Sequence, residues 1–192
     1  ELPLLLATKI ISKKAKTILI YLQFDGQPVD NSKWDQENPY KAELKIYENG
    51  EYKSIDWNAL ENITTKNIND SDIRVFARSA SDGKGPVLML LNALEIMKTN
   101  NLELKYNLKV IMDFEEELGS PNITNAVNKY SEKLSSDALL IYDGPEHPSN
   151  LPTLEFGARG ISQITLTSYG PIVPQHSGHF GNYAPNPVFR MS

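Results

Sequence analysis

The chain has 192 residues, enough for one full domain or a domain plus part of another. Its 40% hydrophobic and 22% charged residues are those of an ordinary folded globular protein. A net charge of −5 with no basic stripe argues against nucleic-acid binding, and the lack of cysteine excludes disulfides, thiolate metal sites and a cysteine nucleophile.

"LPLLLA" near the start is too short for a membrane span or a signal-peptide core and has no basic residues before it. "TILIYLQFD" (17–25) is a β-branched apolar run of strand length, read as a buried strand. It leads into a Gly/Pro/Asn-rich loop. Residues 41–72 are polar and mixed, with Asn49-Gly50 between alternating segments as a hairpin signal. "IRVFARS" is a short strand ending at "ASDGKG". "PVLMLLNALEIMK" carries an apolar face at helical spacing, with Pro86 tolerated in the first turn. "LKYNLKVIMDF" is the next buried strand. "SPNITNAVNKYSEKL" reads as a helix capped by Ser120, and "DALLIYD" as a further strand. "ISQITLTSYG" alternates as a strand with one wet face does, and a Gly/Pro/His-rich loop follows. Strand, helix, strand, helix, strand points to an α/β fold with a mostly parallel sheet flanked by helices. The change of texture places a boundary near 158, giving domains at 1–157 and 158–192. Glu1 in place of Met, and the abrupt end at "NPVFRMS", suggest a piece of a longer protein.

Ligands of α/β sheets gather at the carboxyl ends of the strands. Those ends carry Gln23 and Asp25, Asp82, Glu115 to Glu117, and Asp143. Four strands are thus expected to deliver acids to one rim. A single acid there is ordinarily a helix cap or a solvated charge. Several acids gathered in a partly dry cleft repel, and each costs several kcal/mol unless a cation compensates. Oxygen-rich clusters commonly bind divalent metal, and two metals about 3.5–4 Å apart can share a carboxylate. Adjacent Glu116 and Glu117 suit a ligand beside a general base.

Five segments in order carry a family resemblance. "YLQFDGQPVD", followed by Trp34 and "NPY", is similar to a strand ending in His-x-Asp. "ARSASDGKG" resembles Gly-Arg-Gly-x-x-Asp-x-Lys-Gly, and "EELGS" matches Glu-Glu-x-Gly-Ser. "IYDGPEHPSN" with "FGARG", and then "QHSGHFGN", complete the series. The chain resembles the zinc-dependent exopeptidases and amidohydrolases related to carnosinase, carboxypeptidase G, aminoacylase and succinyl-diaminopimelate desuccinylase. The resemblance implies a hydrolase-type α/β catalytic domain, here its N-terminal part, and the start of an α+β lid that dimerises.

It also implies roles. Asp82 resembles the carboxylate bridging two zinc ions, for which cobalt or manganese can substitute. Glu117 and Asp143 resemble ligands of one zinc each. Glu116 resembles the general base acting on the bridging water. Asp25 resembles the acid that orients a metal-ligating His two residues earlier. His176 resembles the lid histidine that steadies the oxyanion in a partner subunit's site, and Arg159-Gly160 and Asn186 match lid segments. The implied reaction is cleavage of a peptide or amide bond in a dipeptide or N-acyl amino acid by the zinc-bridging water. A homodimer is implied for the full-length form, with no nucleic acid or membrane partner. A cytoplasmic setting is favoured, or a periplasmic or secreted one if a signal peptide has been removed.

Two departures bear on this. Gln23 stands where the family has its His ligand, and an amide oxygen is a far poorer zinc ligand than imidazole nitrogen. The family's closing His lies beyond the lid, outside this sequence. The expectation is therefore weak or absent zinc binding and impaired activity. The alternative is a non-catalytic relative that binds peptides or dimerises. "ARSAS" in place of Gly-Arg-Gly, and Gly83 after the bridging Asp, are lesser departures. Asp82-Gly83-Lys84-Gly85 lacks Walker spacing, His147 reads as a loop residue, and His176 with Ser177 lacks a nucleophile elbow.

Overall fold

The computed structural model describes residues 4–62, 72–143, 147, 149 and 151–192. The chain divides into two compact units, Glu1–Asn150 and Leu151–Ser192.

The first unit is built on a four-stranded sheet. Its strands are β1 (Leu5–Lys9), β2 (Thr17–Gln23), β6 (Asn107–Asp113) and β7 (Ala138–Ile141), in the order β1-β6-β2-β7. β2 runs parallel to both β6 and β7, so all three end on the same rim. Gln23 lies in register with Asp113, the last residues of their strands. The mostly apolar runs at 17–22 and 108–112 form these strands, burying Ile20, Leu22 and Ile111. Helix α1 (Lys84–Thr99) covers one face, packing Val87 and Leu90 on Ile20 and Leu22, with Leu94 and Val110 at the margin.

β1 adds an antiparallel edge to β6. Its residues are exposed, so "LLATK" carries no burial pattern by which a strand could be read. The join from β1 to β2 is pinned by buried Asn107. Its Oδ1 accepts from the backbone N–H of Ile11 and Ser12, and its Nδ2 donates to the carbonyls of Ser12 and Ala15.

A second sheet departs from the expected arrangement. β3 (Glu43–Glu48), β4 (Glu51–Ile55) and β5 (Ile73–Phe76) form an antiparallel sheet ordered β4-β3-β5. The strand "IRVF" therefore joins the polar 41–72 segment and not the parallel sheet. The hairpin turns at Asn49 and Gly50, both at positive φ (54° and 92°), as a primed turn requires. Tyr47, Tyr52 and Phe76 stack in sequence across it, with centroids 5.0 and 4.8 Å apart.

After β6 the expected single helix is two short ones, α2 (Ile123–Lys129) and α3 (Ser131–Leu134). Ser120 has φ 50°, a left-handed conformation, so it is not the extended cap expected of it, and Asn122 occupies that place.

In the second unit only α4 (Ser177–Phe180) and α5 (Pro187–Met191) are regular. The strand expected at 161–170 does not form. A strand needs a neighbour for its N–H and C=O groups, and no other strand lies among the described residues of this unit. No helix among the described residues is long and apolar enough to cross a membrane.

Candidate active site

The rim where β2, β6 and β7 end is built from loops that the sheet aims together. β2 ends in Gln23, which is only 3% exposed, so its amide must find partners inside the protein. Its Nε2 donates to Asp82 Oδ1 at 2.8 Å and to Asp143 Oδ1 at 2.7 Å. The amide orientation follows from chemistry, because Oε1 turned to the same place would face two acceptors. Hydrogen bonds to charged acceptors contribute about 1.5–3 kcal/mol each, so this crosslink is a substantial local anchor.

Asp82 arrives by a different route from the one expected. It follows β5, a strand of the second sheet, and is carried back to β2 by the turn before α1. Close approach is possible because position 83 is glycine. A Cβ there would lie 2.5 Å from Gln23 Cγ and 2.9 Å from the Gln23 carbonyl oxygen. Asp143 follows β7, whose alignment is continued by the Tyr142 N–H donating to the Tyr21 carbonyl. The stretch 144–146 that follows lies outside the described residues.

"DFEEELGS" divides between scaffold and site. Asp113 is buried, and its Oδ1 accepts the Glu115 N–H while its Oδ2 accepts the Tyr21 hydroxyl. Glu115 is buried and accepts from Asn122 Nδ2. These two acids fix the turn that presents Glu116 and Glu117 at the surface of the rim. Burial pushes the Tyr21 phenol up to about 12, reinforced by the charge of Asp113, so it remains a hydrogen-bond donor at neutral pH. Glu117 accepts from Gln27 Nε2 at 2.6 Å, and its backbone N–H donates to Asp25 Oδ2 at 3.0 Å. The other Asp25 oxygen is buried with no hydrogen-bond partner among the described residues.

Glu116 reports the electrostatics of the cluster. Burial holds its carboxyl above the ordinary value of 4.5, and repulsion from Glu117, Asp143, Asp25 and Asp82 adds to this. The rim therefore brings together six of the seven residues expected at the site: Gln23, Asp25, Asp82, Glu116, Glu117 and Asp143. The seventh, His176, belongs to the second unit, where its Nδ1 accepts the Gly178 N–H and caps α4.

Gln27, and the contact of Gly83 with Gln23, were not read from the sequence, because both depend on contacts made across the fold. Only the departure at Gly83 was a signal. A second departure also has a backbone cause. Ser79, in "ARSAS" where the family pattern has Gly, is buried with φ 64°. An L-residue is strained there, so Ser79→Gly is expected to raise stability by about 0.5–1 kcal/mol in chemical denaturation.

A sequence model of peptidase family M20/M25/M40 matches residues 19–155. The chain belongs to this family. The Cys-Gly metallodipeptidase dug1 of Schizosaccharomyces pombe is 28% identical over 90% of this chain and 32% of its own length. The human beta-Ala-His dipeptidase is 29% identical over 63% of this chain and 24% of its own length. Among solved structures, an M20 family metallo-carboxypeptidase from Sulfolobus solfataricus aligns with a TM-score of 0.55 at 29% identity, covering 77% of this chain and 28% of that one. The chain thus spans about a third of the length of the curated relatives it matches over most of its own.

M20 metallopeptidases imply a divalent metal cofactor. The residues of this rim, as arranged, do not fit one. Between Asp82 and Asp143 stands an amide with both of its donors engaged, and Glu117 is held by Gln27. Among the described residues, no three His, Cys, Asp or Glu side chains are grouped so as to hold a metal ion.

Proposed function

We propose that the chain is part of an M20-type hydrolase directed at the peptide or amide bond of a dipeptide or N-acyl amino acid, with its hydrolytic step impaired. Family membership supports the reaction class, and the small-peptide substrates named for the relatives support the substrate class. The single observation that carries the catalytic assignment is Glu116. It is partly exposed on the rim that also carries Asp25, Asp82, Glu117 and Asp143, and burial first, then these neighbouring acids, hold its carboxyl above its ordinary value. A carboxyl shifted in this direction is a better base toward an attacking water and can return the proton to a leaving amine. Asp25 positions this segment through the Glu117 N–H. The zinc-bridging water is not carried into the reading, because Gln23 replaces the imidazole that would help to hold the metal. His176 as an oxyanion donor from a second subunit, and the dimer it requires, remain part of the proposal for the whole protein.

The Gln23 crosslink favours a second reading, a non-catalytic relative that binds small peptides. Assay of the full-length protein against a dipeptide series separates the two. The hydrolase reading expects low turnover in the natural chain and at least about a tenfold gain in kcat/KM for Gln23→His with zinc, comparable to the loss seen when a metal's supporting residues are altered. Absence of turnover in both proteins, with dipeptide binding retained in calorimetry, supports the second reading.

A further inference from the structure

We infer that Gln23 and Gly83 together form an internal substitute for one divalent cation, an amide clamp that holds Asp82 and Asp143 without metal. The inference stands whether or not the rim hydrolyses a peptide.

Three observations carry it. First, one –NH₂ group reaches both acids at once, at 2.8 and 2.7 Å, so each of its hydrogens meets a different carboxylate. A cation between two carboxylates performs the same geometric task. An amide does so with two directed donors in place of a charge. Second, Gln23 is buried at the end of a strand in the sheet's core, so the amide is held by its surroundings. Third, the clamp needs Gly83. Any Cβ at that position would fall 2.5 Å from Gln23 Cγ, against the side chain in the conformation that reaches both acids. Two departures from the family pattern, far apart in sequence, are therefore in contact and serve one arrangement.

The substitution has a chemical consequence. The amide joins the carboxylates without adding a positive charge between them. A metal entering between Asp82 and Asp143 would have to break both hydrogen bonds and accept an amide oxygen in place of imidazole nitrogen.

Cobalt(II) uptake tests the inference, read by visible absorption and metal analysis of the full-length protein. The Gln23→His variant is expected to take up one more Co²⁺ per chain than the natural protein. Asp143→Asn in the natural background is expected to leave uptake unchanged. Equal uptake by the natural protein and Gln23→His, or loss of one Co²⁺ in Asp143→Asn, overturns it. A third variant tests the clamp directly. Gln23→Met keeps the length of the side chain and removes both donors. Its melting temperature is expected to fall by about 5 °C or more with no recovery in Co²⁺. An unchanged melting temperature, or full recovery in Co²⁺, contradicts the clamp.

Discussion

Replacing Asn107 with alanine is expected to lower the stability of the first unit by about 3 kcal/mol, a loss that urea unfolding followed by circular dichroism would read. The size follows from what one side chain holds. Asn107 is 4% exposed and lies at the start of β6, where its amide group faces the chain passing from β1 to β2. Its oxygen accepts two backbone N–H groups and its nitrogen donates to two backbone carbonyls, with a longer contact of 3.3 Å to Thr17 Oγ1. Each such bond contributes about 1 kcal/mol net. Ile11 and Ser12 are exposed, so their freed groups regain water, which keeps the loss near 3 kcal/mol and below the roughly 4–5 kcal/mol that the contacts would sum to. Asn107→Asp keeps the acceptor but buries a charge and removes the three donor contacts, so it is expected to cost more than alanine. A loss below about 1 kcal/mol for Asn107→Ala would mean that the β1–β2 connection is held by other contacts.

Gly83→Ala is expected to have the second large effect, about 2 kcal/mol, from overpacking against Gln23. The added Cβ meets both the side chain and the backbone carbonyl of Gln23. The side chain can move aside only by releasing Asp82 and Asp143. A double-mutant cycle isolates that part. In a Gln23→Ala background the side-chain clash is absent and the hydrogen bonds are already lost, so Gly83→Ala should cost at least about 0.5 kcal/mol less. The carbonyl clash remains and sets a floor. Strict additivity would show that the two positions are uncoupled.

The elements that could be read in advance owe their visibility to local pattern. β2 and β6 are mostly apolar runs because they lie at the centre of the sheet, and α1 shows helical spacing because one side packs on Ile20 and Leu22. Asn49-Gly50 announced its hairpin because positive φ at two adjacent positions restricts residue choice. Gln23, Asp25, Glu116, Glu117 and Asp143 were legible as a group because the ends of parallel strands share a rim, whereas Asp82 reaches it from the second sheet. What could not be read were partners. Nothing within "IRVF" says that it pairs with β3 and not with the parallel sheet, and β1 is exposed along its length. The apolar alternation of 161–170 suggests a strand, yet alternation supplies no neighbour to bond with. Gln23 looked like the loss of a ligand. That it is a hydrogen-bonded crosslink matched to Gly83 depends on a contact across 60 residues, visible only once the chain is folded.

The sharpest measurement of that crosslink is a crystal structure grown with zinc, with data collected on both sides of the zinc absorption edge. If the amide clamp is correct, Gln23 Nε2 lies within hydrogen-bond distance of Asp82 and Asp143, and no anomalous density appears between those two carboxylates. A zinc peak there at about 2.0–2.2 Å from oxygens of Asp82 and Asp143, with the Gln23 amide turned aside or its oxygen bound to the metal, would contradict it.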